Sequence, residues 1–309
     1  MNLELCKIPT KEEIKKVVFG MKSLKAPGSD GFPALFYKHY WDTVGDQVVQ
    51  VTQSFFRNGW LLKDFNKTFI SLIPKKKGAC NFNHFCPIGL CNVCYKVISK
   101  IIVNRLRPLL NKMVDLAQVA FVPNRWINEN VVLAHEIVHS FKYTGKRKGF
   151  LGIKLDFQKA YDKMEWNFLL VVLRAFRFSN SFINLIHQCL STVEFTLLLN
   201  GGLGPSFSPS RGFRQGDPLS PYLFILGNEV LMRLINRKVS QKNLTGFKVS
   251  NTAPPISKLC YADDVLLFCK AKSSKLAILR KCLEKFCYWL GQSISVEKSG
   301  CFPSKGVSH

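Results

Sequence analysis

The sequence is poor in acidic residues and contains no long uncharged apolar run. Its 309 residues include 20 Asp and Glu against 44 Lys and Arg, for a formal net charge of +24. No stretch reaches the ~18 apolar residues of a membrane-spanning helix, since Glu229 and Arg233 interrupt the most apolar segment, 219–235. We therefore expect no membrane partner. The basic excess favours a polyanionic partner, usually nucleic acid.

The cysteines do not follow a metal-binding or disulfide pattern. The 11 cysteines are scattered, and Cys91-x-x-Cys94 has no second such pair or His pair to complete a zinc site. The charged N-terminal residues 1–7 lack the apolar core of a signal peptide. We expect a reduced intracellular protein, nuclear and/or cytoplasmic and not secreted. Lys146, Arg147 and Lys148 resemble a nuclear signal, although such a run is more often only a basic turn.

Local patterns predict several elements. Thr10 and Glu13 form a capping box at the start of a helix. Residues 33–58 predict a helix broken near Gly45, and residues 194–200 predict a strand whose hairpin partner is 207–211. Hydrophobic residues make up 47% of the chain, enough for a globular core.

Two adjacent carboxylates lie between β-prone runs. Residues 259–261 and 265–269 predict strands, with Ala262, Asp263 and Asp264 as the turn of a hairpin. Buried neighbouring carboxylates repel each other unless a cation neutralises them, and Mg²⁺ is commonly held by carboxylates and substrate phosphates. By itself the stretch more often indicates an ordinary solvated turn.

A third carboxylate, Asp156, ends another predicted strand, 149–155. If that strand neighbours the hairpin, three carboxylates meet, and such a group around two cations suits in-line attack of a hydroxyl on a phosphate. A glycine-punctuated loop, 211–221, lies between these stretches in the sequence and leads into a long apolar helix.

Seven short motifs follow one another between about Lys25 and Lys298. They are Lys-Ala-Pro-Gly-Ser-Asp-Gly (25–31), Leu-Ile-Pro-Lys (72–75), Pro-Ile-Gly-Leu-Cys-Asn (87–92), Ala-Phe-Val-Pro (120–123), Leu-Asp-Phe-Gln-Lys-Ala-Tyr-Asp (155–162), Arg-Gln-Gly-Asp-Pro-Leu-Ser-Pro (214–221) and Tyr-Ala-Asp-Asp (261–264). Together they resemble the reverse transcriptase domain of a plant-type LINE (non-LTR) retrotransposon. Each motif alone is weak, but their order and spacing are specific.

The resemblance implies an α+β right-hand polymerase. Residues 1–148 would form an N-terminal extension and the fingers. Residues 149–309 would form the palm, an antiparallel sheet backed by helices, with 201–218 contacting the fingers. A thumb is not expected within the chain.

The resemblance further implies an RNA-directed DNA polymerase that transfers dNTPs to a primer 3′-hydroxyl. Its partners would be an RNA template and a DNA primer, and its oligomeric state is left open. Two Mg²⁺ ions, with Mn²⁺ as a substitute, would be bridged by Asp156 and Asp263 and supported by Asp264 and the Phe157 carbonyl.

Residues around the incoming nucleotide also follow from the resemblance. The implied set is Lys75, Phe157, Tyr161, Arg214, Gln215, Gly216 and Lys298. Tyr161 would exclude a ribose 2′-hydroxyl, and Lys298 would protonate pyrophosphate.

The sequence departs from the family pattern at two positions. Cys86 stands where the family has an arginine expected to contact the triphosphate, and Gly89 stands where it has serine. A cysteine offers neither the charge nor the planar fork of arginine. The alternatives are a group II intron-type maturase, a viral RNA-dependent RNA polymerase, and a catalytically inactive, degenerate reverse transcriptase-like fragment that binds RNA.

Overall fold

The computed structural model describes residues 1–144, 149–305 and 307. The predicted basic turn Lys146–Lys148 lies outside the described residues. Within them, every helix is too short or too polar to cross a membrane.

Groups of helices are separated by short strands along the described chain. The helices are α1 (Asn2–Cys6), α2 (Lys11–Phe19), α3 (Ala34–His39), α4 (Trp41–Asn58), α5 (Lys63–Asn66), α6 (Val93–Leu106), α7 (Leu110–Met113), α8 (Ile127–Phe141), α9 (Trp166–Ala175), α10 (Asn180–Ser191), α11 (Ser220–Ser240) and α12 (Ser273–Leu290). The strands are β1 (Lys67–Pro74), β2 (Phe85–Cys91), β3 (Phe150–Leu155), β4 (Glu194–Leu199), β5 (Gly202–Phe207), β6 (Lys258–Tyr261), β7 (Asp264–Lys270) and β8 (Gly300–Pro303).

The chain divides into two compact units that interleave in sequence. The first comprises Met1–Pro108 and Leu173–Pro221, and the second comprises Leu109–Val172 and Tyr222–His309. Residues 109–148 thus belong to the second unit and 201–218 to the first. The division into fingers at 1–148 and palm at 149–309 stays a prediction.

The first unit contains a sheet in the order β2-β1-β4-β5. β1 pairs antiparallel with β2 and parallel with β4, and helix α6 supplies fully buried residues such as Ile98 and Ile101 to the core. β5, which pairs with β4, spans Gly202–Phe207. The predicted partner at 207–211 is therefore wrong. An exposed edge strand can tolerate the glycines and proline of β5, which weaken its sequence pattern.

The second unit contains a sheet in the order β6-β7-β3-β8, in which all these pairings are antiparallel. Helix α8 packs on it through Ile137 and Phe141, which share one buried cluster with Phe150 and Phe268. The prediction of an antiparallel sheet backed by helices is confirmed.

Two helix boundaries test the local predictions. The Glu13 N–H donates to Thr10 Oγ1 at 3.2 Å, so the predicted cap is present. The predicted break near Gly45 is wrong, because α3 ends and α4 begins around Tyr40. Gly45 instead lies within α4, where a Cβ would come within 2.8 Å of the Trp41 ring. It is a packing glycine rather than a helix breaker.

Candidate active site

The adjacent carboxylates lie at the tip of a β-hairpin in the second unit. Tyr261 and Asp264 form the last β6/β7 pair, so Ala262 and Asp263 make a two-residue loop. Ala262 has φ +55°, a conformation that glycine commonly occupies in such loops. For other residues, sparsely populated conformations of this kind cost about 1–3 kcal/mol and persist where surrounding contacts hold them.

Asp156 comes directly after β3, beside this hairpin. Continuing the antiparallel β3/β7 register by one residue puts Asp156 opposite Asp264. The backbone of Asp156 is fixed on both sides: its N–H donates to Ser299 Oγ at 3.1 Å, and its carbonyl accepts from the Ser295 N–H at 2.8 Å. The predicted neighbourhood of the strand end and the hairpin is therefore present.

The charges of Asp264 and Asp156 influence the ionisation of Asp263. The pKa of Asp263 is raised above its ordinary value, first by burial and then by the negative charges of Asp264 and Asp156. A raised carboxyl pKa means that the ionised form is disfavoured in this environment. A nearby cation would reverse that preference.

The residue types fit a hard divalent cation, because carboxylate oxygens are the ligands that Mg²⁺ prefers. Within the described part of the chain, however, no group of three or more His, Cys, Asp or Glu side chains is gathered closely enough to hold a metal ion. The ligand set of Asp156, Phe157, Asp263 and Asp264 stays a prediction.

Two buried amide side chains contact the hairpin loop and were missed by the sequence analysis. Gln118 bonds both the N–H and the carbonyl of Ala262, and Asn228 donates to the same carbonyl. A polar residue inside the apolar run of α11 was the available signal for Asn228. Gln118 gave no comparable signal, since it precedes α8 in an irregular segment.

The structure puts Tyr161 near the carboxylates and Phe157 in the core. The Tyr161 ring stacks on Phe224, with centroids 4.7 Å apart and planes 11° from parallel. Burial, and then the charge of Asp263, raise the pKa of Tyr161 to about 12. The buried Phe157 ring lies 5.6 Å from that of Phe286. Nucleotide contact by Tyr161 and Phe157, and metal binding by the Phe157 carbonyl, stay predictions.

Lys298 is exposed and lies in the turn before β8. Its neighbour Ser299 is the residue whose hydroxyl accepts the Asp156 N–H. The turn thus ties the segment carrying Lys298 to the strand end that carries Asp156. The proposed proton transfer from Lys298 to pyrophosphate stays a prediction.

Lys75 belongs to the first unit and directly follows β1. Its backbone N–H donates to the His84 carbonyl at 2.8 Å, which closes the loop between β1 and β2. Its side chain is exposed. The loop therefore presents Lys75 to solvent, as a phosphate-binding lysine requires, and contact with a nucleotide stays a prediction.

Arg214, predicted to line the nucleotide, is buried in the first unit. Its terminal nitrogens donate to Asn66 Oδ1 (2.6 Å), Thr68 Oγ1 (3.1 Å), the Cys189 carbonyl (3.3 Å) and Asp217 Oδ2 (2.9 Å). Burial alone would lower the pKa of Arg214, but Tyr95, Cys91 and Asp217 raise it. These contacts make Arg214 a scaffold of its loop, and a direct nucleotide contact stays a prediction.

The next residues of this loop, Gln215 and Gly216, lie against β2. The Gly89 N–H donates to the Gln215 carbonyl at 2.6 Å, and the Cys86 thiol donates to Gln215 Oε1 at 3.0 Å. Gly216 has φ +109°, and a Cβ there would lie 2.8 Å from the Gly89 carbonyl oxygen. Glycine is thus required at position 216 by conformation and by space. The atypical Cys86 contacts the loop directly.

Comparison with known proteins identifies the family. The profile of the family described as "Reverse transcriptase (RNA-dependent DNA polymerase)" matches residues 73–307. The matched region contains every residue singled out above as catalytic, metal-binding or nucleotide-binding. Members of this family generally use divalent metal ions.

Relatives come from mobile elements. The chain is 31% identical over 258 residues, 84% of its length, to the transposon TX1 uncharacterized 149 kDa protein of Xenopus laevis. It is 28% identical over 231 residues, 74% of its length, to the retrovirus-related Pol polyprotein from type-2 retrotransposable element R2DM of Drosophila melanogaster. These matches span only 19% and 20% of the two relatives.

Solved structures share the fold. A telomerase from Candida tropicalis in complex with a fragment of telomeric RNA aligns with 90% of this chain and 46% of its own, at a TM-score of 0.54 and 15% identity. Apo telomerase from the same organism aligns with 90% of this chain and 57% of its own, at a TM-score of 0.52 and 13% identity. Together with the family match, the polymerase fold confirms what the motifs indicated, and the chain belongs to the reverse transcriptase (RNA-dependent DNA polymerase) family.

Proposed function

We propose that the chain is the RNA-directed DNA polymerase domain of a non-LTR retrotransposon, which adds dNTPs to a primer 3′-hydroxyl along an RNA template. The observation that carries the proposal is the meeting of Asp156 with the Asp263–Asp264 hairpin in a chain of this family. The net charge of +24 suits partners with phosphate backbones. Relatives whose names describe transposon and retrotransposable-element proteins support the retrotransposon origin.

Asp156, Asp263 and Asp264 would hold two divalent cations, Mg²⁺ or Mn²⁺. When bound, such ions activate the attacking hydroxyl and stabilise the charge that develops on the phosphate and the leaving group. The protein's contribution is to carry the three carboxylates at neighbouring ends of β3 and of the β6–β7 hairpin. Paired strands support these positions more rigidly than a free loop would.

Tyr161 would select deoxyribonucleotides. Its ring is fixed by stacking on Phe224, and the charge of Asp263 contributes to raising the pKa of its hydroxyl. A bulky, immobile ring near the reacting groups leaves little room for a 2′-hydroxyl. This role separates the proposal from an RNA-dependent RNA polymerase, which must accept ribonucleotides.

A second candidate function is an inactive reverse transcriptase-like fragment that binds RNA. The observation in its favour is Cys86, which occupies an arginine position of the family and contacts the Gln215 side chain. A cysteine at this position of β2 lacks the permanent charge and the five donors of arginine.

Primer extension tests the proposal. The 309-residue chain, an RNA template with an annealed DNA primer, dNTPs and Mg²⁺ would be combined and compared with the Asp263→Asn/Asp264→Asn variant. Glu284→Gln on α12 serves as the matched control, because Glu284 is an exposed carboxylate in a surface ion pair. Extension by the wild type and the control, but not by the double variant, is expected.

If neither the wild type nor the control extends the primer while both bind RNA, the polymerase proposal fails and the second candidate stands. Cys86→Arg then distinguishes the causes. Extension restored by arginine would identify residue 86 as the lesion, whereas continued inactivity would locate the cause elsewhere.

A further inference from the structure

A glutamine side chain forms hydrogen bonds to the hairpin loop that carries Asp263. Gln118 Oε1 accepts the Ala262 N–H at 3.0 Å, and Gln118 Nε2 donates to the Ala262 carbonyl at 3.4 Å. One amide therefore bonds both backbone polar groups of the residue with the left-handed φ. Gln118 is 3% exposed, so these bonds are shielded from competition with water.

The glutamine is itself anchored to the hairpin. The Val119 N–H donates to the Cys260 carbonyl at 3.2 Å, and the Cys260 N–H donates to the Ala117 carbonyl at 2.9 Å. The segment around Gln118 thus lies parallel to β6 as a short bridge. Because its backbone is held in register with the strand, its side chain reaches the loop at a defined position.

A second buried side-chain amide also bonds Ala262. Asn228, on helix α11, donates to the Ala262 carbonyl at 3.3 Å and is 4% exposed. Burial of an asparagine side chain is unfavourable unless its amide finds a partner. The Ala262 carbonyl is that partner, so α11 and the segment preceding α8 converge on one peptide group.

We infer that Gln118, assisted by Asn228, is a positioning residue that holds the strained Ala262 backbone and thereby orients the Asp263 carboxylate. The inference rests on the proposed function for its catalytic meaning, since Asp263 is the proposed metal ligand. The bonds to Ala262 join protein groups only, so their effect on the loop can be measured without a cation or a nucleotide.

The experiment compares three variants in the metal-free protein. Gln118→Met keeps the side-chain volume and removes both bonds to Ala262, and Asn228→Leu removes one. Gln292→Met is the matched control, because Gln292 is also a buried glutamine and its hydrogen bond, to the Ala160 carbonyl, lies outside the segment 258–266. The readout is amide hydrogen exchange of the segment 258–266, followed by mass spectrometry.

Gln118→Met is expected to accelerate exchange at the loop by about tenfold or more, because an amide held by a buried partner exchanges only through local opening. Asn228→Leu should produce a smaller acceleration, and Gln292→Met should leave the exchange of the loop amide unchanged. Equal exchange in the wild type and Gln118→Met, or an equal acceleration in the control, overturns the inference whether or not the chain polymerises DNA.

A rescue variant separates orientation from general destabilisation. Glycine adopts φ +55° without steric cost, so Ala262→Gly in the Gln118→Met background should recover Mn²⁺ binding that Gln118→Met weakens. In primer extension, Gln118→Met should lower kcat by about 10- to 100-fold with KM for dNTP changed less than about twofold, as small misplacements of reacting groups do. Unaltered Mn²⁺ affinity and kcat in Gln118→Met would contradict the positioning role.

Discussion

The guanidinium of Arg214 lies over the ring of Tyr95, 3.9 Å from its centroid, and the Tyr95 hydroxyl donates a 2.5 Å hydrogen bond to Asp217. Asp217 also accepts from Arg214, so the three side chains form a closed triangle. The side chains of Arg214 and Asp217 are only 4% and 3% exposed. The loop that presents Gln215 and Gly216 is therefore built on a buried, mutually satisfied ion pair.

Breaking this pair should destabilise the protein strongly. Asp217→Ala leaves Arg214 charged and buried without its carboxylate, which costs about 3–5 kcal/mol. Tyr95→Phe removes one hydrogen bond to a charged group and should cost about 1.5–3 kcal/mol. Urea unfolding at pH 7 measures both values.

The control for this prediction is an exposed pair of similar geometry. Arg280 and Glu284 lie 2.7 Å apart with side chains 81% and 57% exposed. Glu284→Ala should change the free energy of unfolding by about 1 kcal/mol or less. If Asp217→Ala lowered the free energy of unfolding by no more than Glu284→Ala does, the buried triangle would contribute no more than a surface ion pair.

A close approach between Gly28 and Asn92 predicts a second sensitive position. A Cβ on residue 28 would lie 2.3 Å from the Asn92 backbone nitrogen and 2.2 Å from its Oδ1. Gly28→Ala must therefore shift backbone, and we expect a loss of about 1–3 kcal/mol in urea unfolding. At Gly300 a Cβ would meet no described atom within 4 Å, so Gly300→Ala should stay within about 0.5 kcal/mol.

Asp115 predicts a pH dependence of stability. Burial alone would raise the pKa of Asp115, but the Ala117 N–H, the charge of Lys258 and the amide of Asn236 together lower it. A carboxyl whose pKa is lowered by folding stabilises the protein above its unfolded pKa of about 3.9, and this stabilisation is lost as the pH falls through the folded pKa.

Asp115→Asn should therefore lower the free energy of unfolding most at neutral pH. The partner Lys258 is 6% exposed and 3.1 Å away, so leaving its charge unpaired costs about 3–5 kcal/mol. The difference from wild type should begin to narrow below about pH 3.9, where the carboxyl of the unfolded chain binds a proton, and the contribution of the charge is lost as the pH falls through the lower folded pKa. Urea unfolding at pH values from 7 to 3 measures this difference, and Asp46→Asn, at an exposed carboxylate, is the control. A difference in unfolding free energy between wild type and Asp115→Asn that stayed constant with pH would exclude the Asp115 charge as its source.

The sequence predicted the carboxylate hairpin because its signal is local. Asp263 and Asp264 lie between β-prone runs, and Asp156 ends a strand, so strand pairing alone brings them together. The hydrogen bonds between Gln118 and Ala262 could not be predicted in this way, because the two residues are 144 positions apart in the sequence. Such a contact follows from the register of a short parallel bridge, which leaves no periodic pattern.

The environment of Arg214 escaped prediction for a related reason. Its motif position indicated a nucleotide contact, but its partners Asn66, Thr68 and Cys189 come from separate elements that no local pattern connects. Burial of a charge is decided by the tertiary structure as a whole. The sequence thus placed Arg214 in a motif but did not reveal the buried contacts that hold its side chain.

The stacking of Tyr161 on Phe224 predicts the sugar selectivity of the proposed polymerase activity. Tyr161→Ala removes the ring and should improve incorporation of ribonucleotides relative to deoxyribonucleotides by at least about tenfold, or about 1.4 kcal/mol of differential transition-state binding. Tyr161→Phe keeps the stacked ring and should retain the wild-type preference. The measurement is kcat/KM for a dNTP and the matching NTP in single-nucleotide extension. Equal preferences in wild type and Tyr161→Ala would show that another group excludes the 2′-hydroxyl, because the alanine variant lacks any bulk at this position.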